Sequence, residues 1–343
     1  MLLVILGAGA SFDSVPSNPT LPATYSPLRP PLADQLFDNR PIYHEAMQRF
    51  RDLHSISGEL AHRHGLSLER KLQSLAAEAA DYPERYKQLM SVRYYIQYIL
   101  WRGEEEWVRD IGANATNYRA LLDQIDRWRK HDEPVCLVSF NYDRLIEHAL
   151  NEARVPTNQL SDYIASTRFK LFKVHGSIHW VRTVRSEHLE PTELGHHWPS
   201  TFAVIANAAT LEFSKQFEIA GDYPTGFRNG DFVAPAIAVP LEDKTEFELP
   251  EEHLRLLKSL IPQTDRMLII GWRATEQHFL RMLRDGLKSR VSGYVVCKDT
   301  TEGEETASRL GAAGIDGDYT ISEGGFTNMI TRRELDGFLG HVK

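Results

Sequence analysis

Four short segments concentrate residue types that can do chemistry: Gly7-Ala8-Gly9-Ala10-Ser11, Asn141-Tyr142-Asp143, His175-Gly176 and Gly271-Trp272-Arg273. The first follows the apolar run Leu2–Leu6. A glycine pair between a strand and a helix start presents unpaired N–H groups and a positive helix end to an anion. Gly7 permits a tight turn, Gly9 lets a pyrophosphate come close, and Ser11 adds a hydroxyl. Asn141 carries two amide donors and an acceptor, enough to position a water or a substrate hydroxyl. Asp143 accepts hydrogen bonds, and His175, of a type that titrates at about pH 6.5, suits a general base. Arg273 can pair with a phosphate, with Gly271 a second point of close backbone approach and Trp272 beside it.

Each residue also has a plainer role. Asn141 and Asp143 are common turn and helix-cap types, a histidine before glycine is often a hydrogen-bonded loop residue, and Arg273 serves equally as a surface charge. The dinucleotide fingerprint is incomplete, because Phe12 stands where its third glycine belongs. No acidic residue closes a second strand about 20 residues on, as a dehydrogenase requires.

These segments can cooperate only if strands bring them together. Apolar runs at Leu2–Leu6, Val135–Val138, 169–174, 232–240, 266–270 and 293–299 read as strands, and 134–150 and 266–283 repeat a strand, turn, helix pattern. Thr275 stands where a side chain can cap the second of those helices. A further helix is expected around 303–311, a short one over Leu32–Asp38, an irregular loop over Pro16–Pro31, and mostly irregular chain over 181–231. Residues of about 41–131 show the 3.6-residue spacing of successive helices, as in "ERYKQLMSVRYYIQYILW". The expected architecture is α/β: a Rossmann-like doubly wound parallel sheet forming one domain over 1–343, with a helical insertion at about 41–131.

Composition narrows the classes. The chain has 343 residues, 42% hydrophobic and 25% charged, and a net charge of -8, so no global basic field holds nucleic acid. Cys136 and Cys297 are the only cysteines, which excludes a four-cysteine zinc site and points to a reduced, cytoplasmic protein. The N-terminal apolar run is too short for a membrane span and lacks the flanks of a signal peptide. His175, His179, His188, His196 and His197 have no metal-ligand spacing, so no metal is expected.

Taken in order, Gly-Ala-Gly-Ala-Ser, Asn-x-Asp, His-Gly and Gly-Trp-Arg resemble the motifs of the sirtuin superfamily. The "NYD" and "HGS" forms, "PPLADQLF" at 30–37 and the later His278-Phe279 look closest to its bacterial, zinc-free branch. The resemblance implies that residues 7–11 cradle NAD, that Asn141 and Asp143 hold its nicotinamide end, and that His175 is the catalytic histidine. Gly271, Trp272 and Arg273 would line the adenosine half. Two departures tell against protein deacylation: the four-cysteine zinc module is missing, and no Asp-Phe-Arg motif follows the glycine loop.

Many members of that branch are NAD-degrading effectors in antiphage defence. The resemblance therefore implies an NAD glycohydrolase that releases nicotinamide and ADP-ribose, with NAD as substrate and no zinc. Such activity implies gating, by homo-oligomerisation or by a separate activating subunit such as an ATPase or a nucleic-acid-guided protein. The competing readings are an NAD-dependent protein deacylase and a non-catalytic module that senses NAD or ADP-ribose.

Overall fold

The computed structural model describes residues 1–14, 29–38, 40–61, 68–110, 116–129, 133–189, 198–239 and 247–340. Its strands are β1 (Leu2–Leu6), β2 (Val135–Ser139), β3 (Phe169–Lys173), β4 (Gly176–Arg185), β5 (Glu212–Ile219), β6 (Phe227–Arg228), β7 (Asp231–Ile237), β8 (Arg266–Ile270), β9 (Val291–Val296) and β10 (Gly317–Ser322). The chain divides into two compact units, Met1–Leu32 with Glu104–His175 and Lys244–Lys343, and Ala33–Gly103 with Gly176–Asp243.

The first unit is built on a six-stranded sheet in the order β10-β9-β8-β1-β2-β3, with every pairing parallel. β1 lies between β8 and β2 and is buried along its whole length, which is why it reads as an unbroken apolar run. The chain winds outward from β1 to β3, then returns to β8 on the other side of β1 and winds outward again. That is the doubly wound, Rossmann-like order, with its reversal between β1 and β8. Ser322, Val296, Ile270, Leu6, Ser139 and Lys173 form one register row across all six strands. All six carboxyl ends therefore finish level, and the segments that follow them emerge on one edge.

Two helices of this unit show how local sequence sets boundaries. Thr116 caps the helix Asn117–Trp128 by accepting a hydrogen bond from Arg119 N (3.3 Å), and the helix buries Tyr118, Leu121, Leu122 and Ile125 at helical spacing. Asp299 caps Thr300–Ala312 through Glu302 N (3.0 Å), so that helix begins three residues ahead of the expected 303. Thr275 does not cap the helix Gln277–Gly286. Glu276 holds the capping position without a side-chain cap, and its carboxylate turns back to the indole of Trp272.

The second unit pairs a four-stranded antiparallel sheet, β5-β4-β7-β6, with the helices Pro41–Arg49, His54–Ala61 and Leu68–Glu78 and most of Glu84–Asp110. Tyr94 donates to Val233 O (2.8 Å) and Gln97 Nε2 to Ile178 O (2.7 Å), so the long helix is tied to β7 and β4 by buried polar tips. Phe50, Tyr98, Trp198 and Tyr223 form an aromatic cluster, with Arg49 4.0 Å over the Trp198 ring.

Residues 181–231, expected to be mostly irregular, continue β4 and carry the helix Trp198–Ala206, β5 and β6. β5 escapes a periodicity reading because it is an edge strand whose apolar Phe213, Phe217 and Ile219 are only half-buried. Leu32–Asp38 forms one 3₁₀ turn, Ala33–Gln35, rather than a helix. The Leu36 carbonyl, which a continuing helix would use, accepts from Tyr95 OH (2.8 Å). Most of the expected Pro16–Pro31 loop, and His196 and His197, lie outside the described residues.

Candidate functional site

The sheet places the sequence motifs at four strand ends. Gly7 follows β1, Phe140 and Asn141 follow β2, Val174 and His175 follow β3, and Gly271 follows β8. Adjacent strands lie about 4.8 Å apart, so His175 stands roughly 10 Å, two strands, from the glycine turn. The Phe140 ring joins the pieces: it meets His175 edge-on at 4.9 Å and stacks on Trp272 at 5.3 Å. Tyr142 also lies against His175, ring centroids 6.0 Å apart, and His175 is buried.

The glycines are required first by one another. A Cβ on Gly7 would lie 2.3 Å from Gly271 O, and one on Gly271 would lie 2.5 Å from Ala10 N. Gly271 also has φ +59°, a left-handed conformation that favours glycine. Gly7 N donates to Ile270 O (3.0 Å) and Gly9 N to Gly271 O (3.2 Å). Gly9, expected to let a pyrophosphate come close, thus has its N–H engaged by the neighbouring turn.

Asn141 spends its amide nitrogen inward. Nδ2 lies 2.8 Å from Gly7 O, 2.9 Å from Ser11 Oγ and 3.1 Å from Tyr118 OH. The planar amide therefore directs its oxygen away from this cluster, as an acceptor. Ser11 Oγ and Tyr118 OH are themselves 2.9 Å apart, and both side chains are buried.

Asp143 is buried beside this cluster and accepts from Leu145 N (3.1 Å). Burial raises its pKa above the usual carboxylate range, against the opposing charge of Lys173, a hydrogen bond from Ser11 and the Leu145 N–H. Lys173 is completely buried: it bonds the Asp143 carbonyl and forms an ion pair with Glu147 (3.0 Å). Burial likewise raises the pKa of Glu147.

Glu104, from the helix Glu84–Asp110, behaves oppositely. Burial pushes its pKa up, but the hydrogen bond to His148 (2.8 Å) and the Arg144 guanidinium outweigh it and hold the carboxyl at about 2. Arg144 also donates its backbone N–H to Glu104 (3.0 Å).

On the β8 side, Trp272 is buried and donates Nε1 to Glu276 Oε2 (2.5 Å). Arg273 is largely exposed, its side chain at 64%, and pairs with Glu302 at 2.9 Å. Trp272 is therefore part of the packing, and Arg273 is a solvent-facing ion-pair partner. Among the described residues, no three His, Cys, Asp or Glu side chains gather as a metal site, and no helix is long and apolar enough to cross a membrane.

Reading the sequence alone misses Tyr118, Glu104, Glu147 and Lys173. Tyr118 occupies a helix position that reads as core. The visible signal for Lys173 is a charge inside the apolar strand "FKLFK".

No family model matches the chain, and no curated protein matches it. Solved structures similar to it include a Sir2 homologue with 2'-O-acetyl ADP ribose, at 13% identity and TM-score 0.40, covering 100% of this chain and 94% of that one. A Sir2–p53 peptide–NAD+ complex is similar at 12% identity and TM-score 0.40, covering 99% and 94%. Sir2Tm bound to a propionylated peptide is similar at 12% identity and TM-score 0.38, covering 99% and 94%. At scores this low, the fold rests on the strand order and register described above.

Proposed function

We propose that the chain binds NAD at the β1/β8 reversal and hydrolyses its nicotinamide–ribose bond, releasing nicotinamide and ADP-ribose. The observation that carries this reading is the single register row of strand ends. Asn141 and Asp143 follow β2, next to the Gly7–Ser11 turn, and His175 follows β3 one strand further on the same edge, where doubly wound sheets bind ligands, which supports the reading.

Nicotinamide departs as a cationic ring turning neutral, so the developing charge sits on the sugar carbon and the leaving group needs no acid. Asn141, with its Oδ1 directed away from the buried cluster, accepts a hydrogen bond from the attacking water or a ribose hydroxyl. Asp143 accepts from the nicotinamide carboxamide, and His175 takes the proton released when the water oxygen bonds to the sugar carbon. Trp272 supports the turn from within, and Arg273 meets a phosphate only by leaving Glu302.

The motif order resembling the zinc-free sirtuin-like branch adds the expectation of a defence effector that depletes NAD, gated by self-assembly or an activating subunit. The chain's two cysteines cannot form a four-thiolate zinc module, which favours hydrolysis over deacylation.

Chromatography of nucleotides after incubation with NAD tests the assignment. Asn141→Ala and His175→Ala should each lose about 10²–10⁴-fold in NAD cleavage while remaining folded, as a cooperative unfolding transition reads. A His175→Ala protein that consumes NAD at the parental rate sinks it. Turnover that needs an acyl-lysine peptide establishes the deacylase instead. Calorimetric binding with an intact NAD pool in every assembly establishes a sensor.

A further inference from the structure

The cluster under Asn141 contains a residue from outside the four strand-end motifs. Tyr118 stands in the first turn of the helix Asn117–Trp128, and its preceding residue ties that helix to the glycine-turn helix Ala8–Ser14. Asn117 Nδ2 donates to Asp13 O (2.7 Å) and to Thr327 Oγ1 (2.8 Å). The Tyr118 ring packs edge-on against Phe326 at 5.6 Å, which fixes where its hydroxyl points.

We propose that Tyr118 is a positioning residue: through the Tyr118–Ser11 hydroxyl pair it holds the Asn141 amide in the orientation that turns Oδ1 toward the substrate. The inference rests on the NAD-cleavage reading for its consequence in turnover, but its geometry stands on the contacts themselves.

The donors and acceptors assign the directions. An amide NH2 has two hydrogens. One goes to Gly7 O, and the other lies between the two hydroxyl oxygens, 2.9 and 3.1 Å away. Between Ser11 and Tyr118 either hydroxyl can donate, and each oxygen keeps a lone pair for the shared amide hydrogen.

Ser11 is engaged by Asn141 and Tyr118 and is only 1% exposed, which turns its hydroxyl toward the amide rather than toward a phosphate. Both hydroxyls act on the amide rather than on the substrate. Removing either one takes away one of the two hydroxyl acceptors and loosens the Asn141 plane about its bond to Gly7.

Tyr118→Phe keeps the ring and its packing while deleting the hydroxyl. It should lower kcat for NAD cleavage about tenfold, the worth of one buried hydrogen bond, with KM changed less than about twofold. Ser11→Ala should do the same from the other side and serves if Tyr118→Phe fails to fold. The double variant should fall little further than either single one, because the pair acts as a unit.

Nitrogen-15 NMR of the ligand-free protein gives a readout independent of activity. The Asn141 side-chain NH2 should shift and exchange faster in each variant, with the other asparagine side chains unmoved. Parental kcat together with unmoved Asn141 resonances overturns the proposal, as does a fully additive double variant of about a hundredfold. A wild-type protein that does not cleave NAD, but whose Asn141 resonances respond as expected, overturns the function while leaving the positioning intact.

Discussion

The two halves of the strand-end site are held by different means. On the β1/β8 side, the turns at Gly7–Ser11 and Gly271–Glu276 meet backbone to backbone, with no room for a Cβ between them. On the β2/β3 side, Asn141, Asp143 and His175 rest on buried side chains, among them Tyr118 and Lys173. The first half is fixed by close backbone contact, and the second carries buried titratable side chains, Asp143 and Lys173 among them. Asn141 Nδ2 to Gly7 O, at 2.8 Å, joins them.

The side-chain half is itself divided between two buried carboxylates. Asp143 has few charge-compensating partners and a raised pKa, whereas Glu104, held by Arg144 and His148, is kept ionised with a pKa of about 2. The under-compensated acid lies beside the Asn141–Ser11–Tyr118 cluster, and the saturated one secures the helix Leu145–Glu152 behind it.

Substitutions can break or sharpen this contrast. The largest effect belongs to the backbone half: Gly271→Ala adds a Cβ 2.5 Å from Ala10 N at φ +59°, and should cost on the order of 4 kcal/mol in urea unfolding. A loss below about 1 kcal/mol would show that the two turns can separate freely.

Next comes Glu104→Gln. The folded pKa of about 2 lies below the ordinary 4.5, so the stability from this carboxylate is fully present above about pH 4.5 and lost as pH falls through about 2. The variant should be less stable by about 3 kcal/mol at pH 7, with the gap closing toward pH 2. A gap constant with pH would mean that Glu104 acts by shape, as the glycines do.

Smallest is Arg273→Ala. Its exposed ion pair with Glu302 should contribute less than about 0.5 kcal/mol to stability. A raised KM for NAD with unchanged unfolding would give Arg273 a phosphate-binding role and place a side-chain function on the backbone half.

The sequence made the parallel sheet largely readable, because β1, β2, β3, β8 and β9 are apolar runs ended by turn residues. It also marked the four strand ends, whose residues the sheet brings onto one edge. It did not show why the glycines are needed. Gly7 and Gly271 lie on different strands, and nothing local to either says that each is the other's neighbour.

Tyr118 was unreadable for a related reason, since a buried aromatic at helical spacing looks the same with or without a partner for its hydroxyl. Thr275 misses the cap because the helix starts one residue later, with Glu276 at the capping position and its carboxylate turned to the Trp272 indole. Over 181–231 the signal failed where burial is partial, and β5 on its sheet edge is the clearest instance.

The meeting of Gly7 with Gly271 has a consequence for synthesis. The chain's first turn cannot acquire its neighbour until β8 has left the ribosome, since β1 has only β2 to pair with before then. A nascent chain stopped short of residue 266 holds every proposed proton-handling residue yet has only one jaw of the clasp.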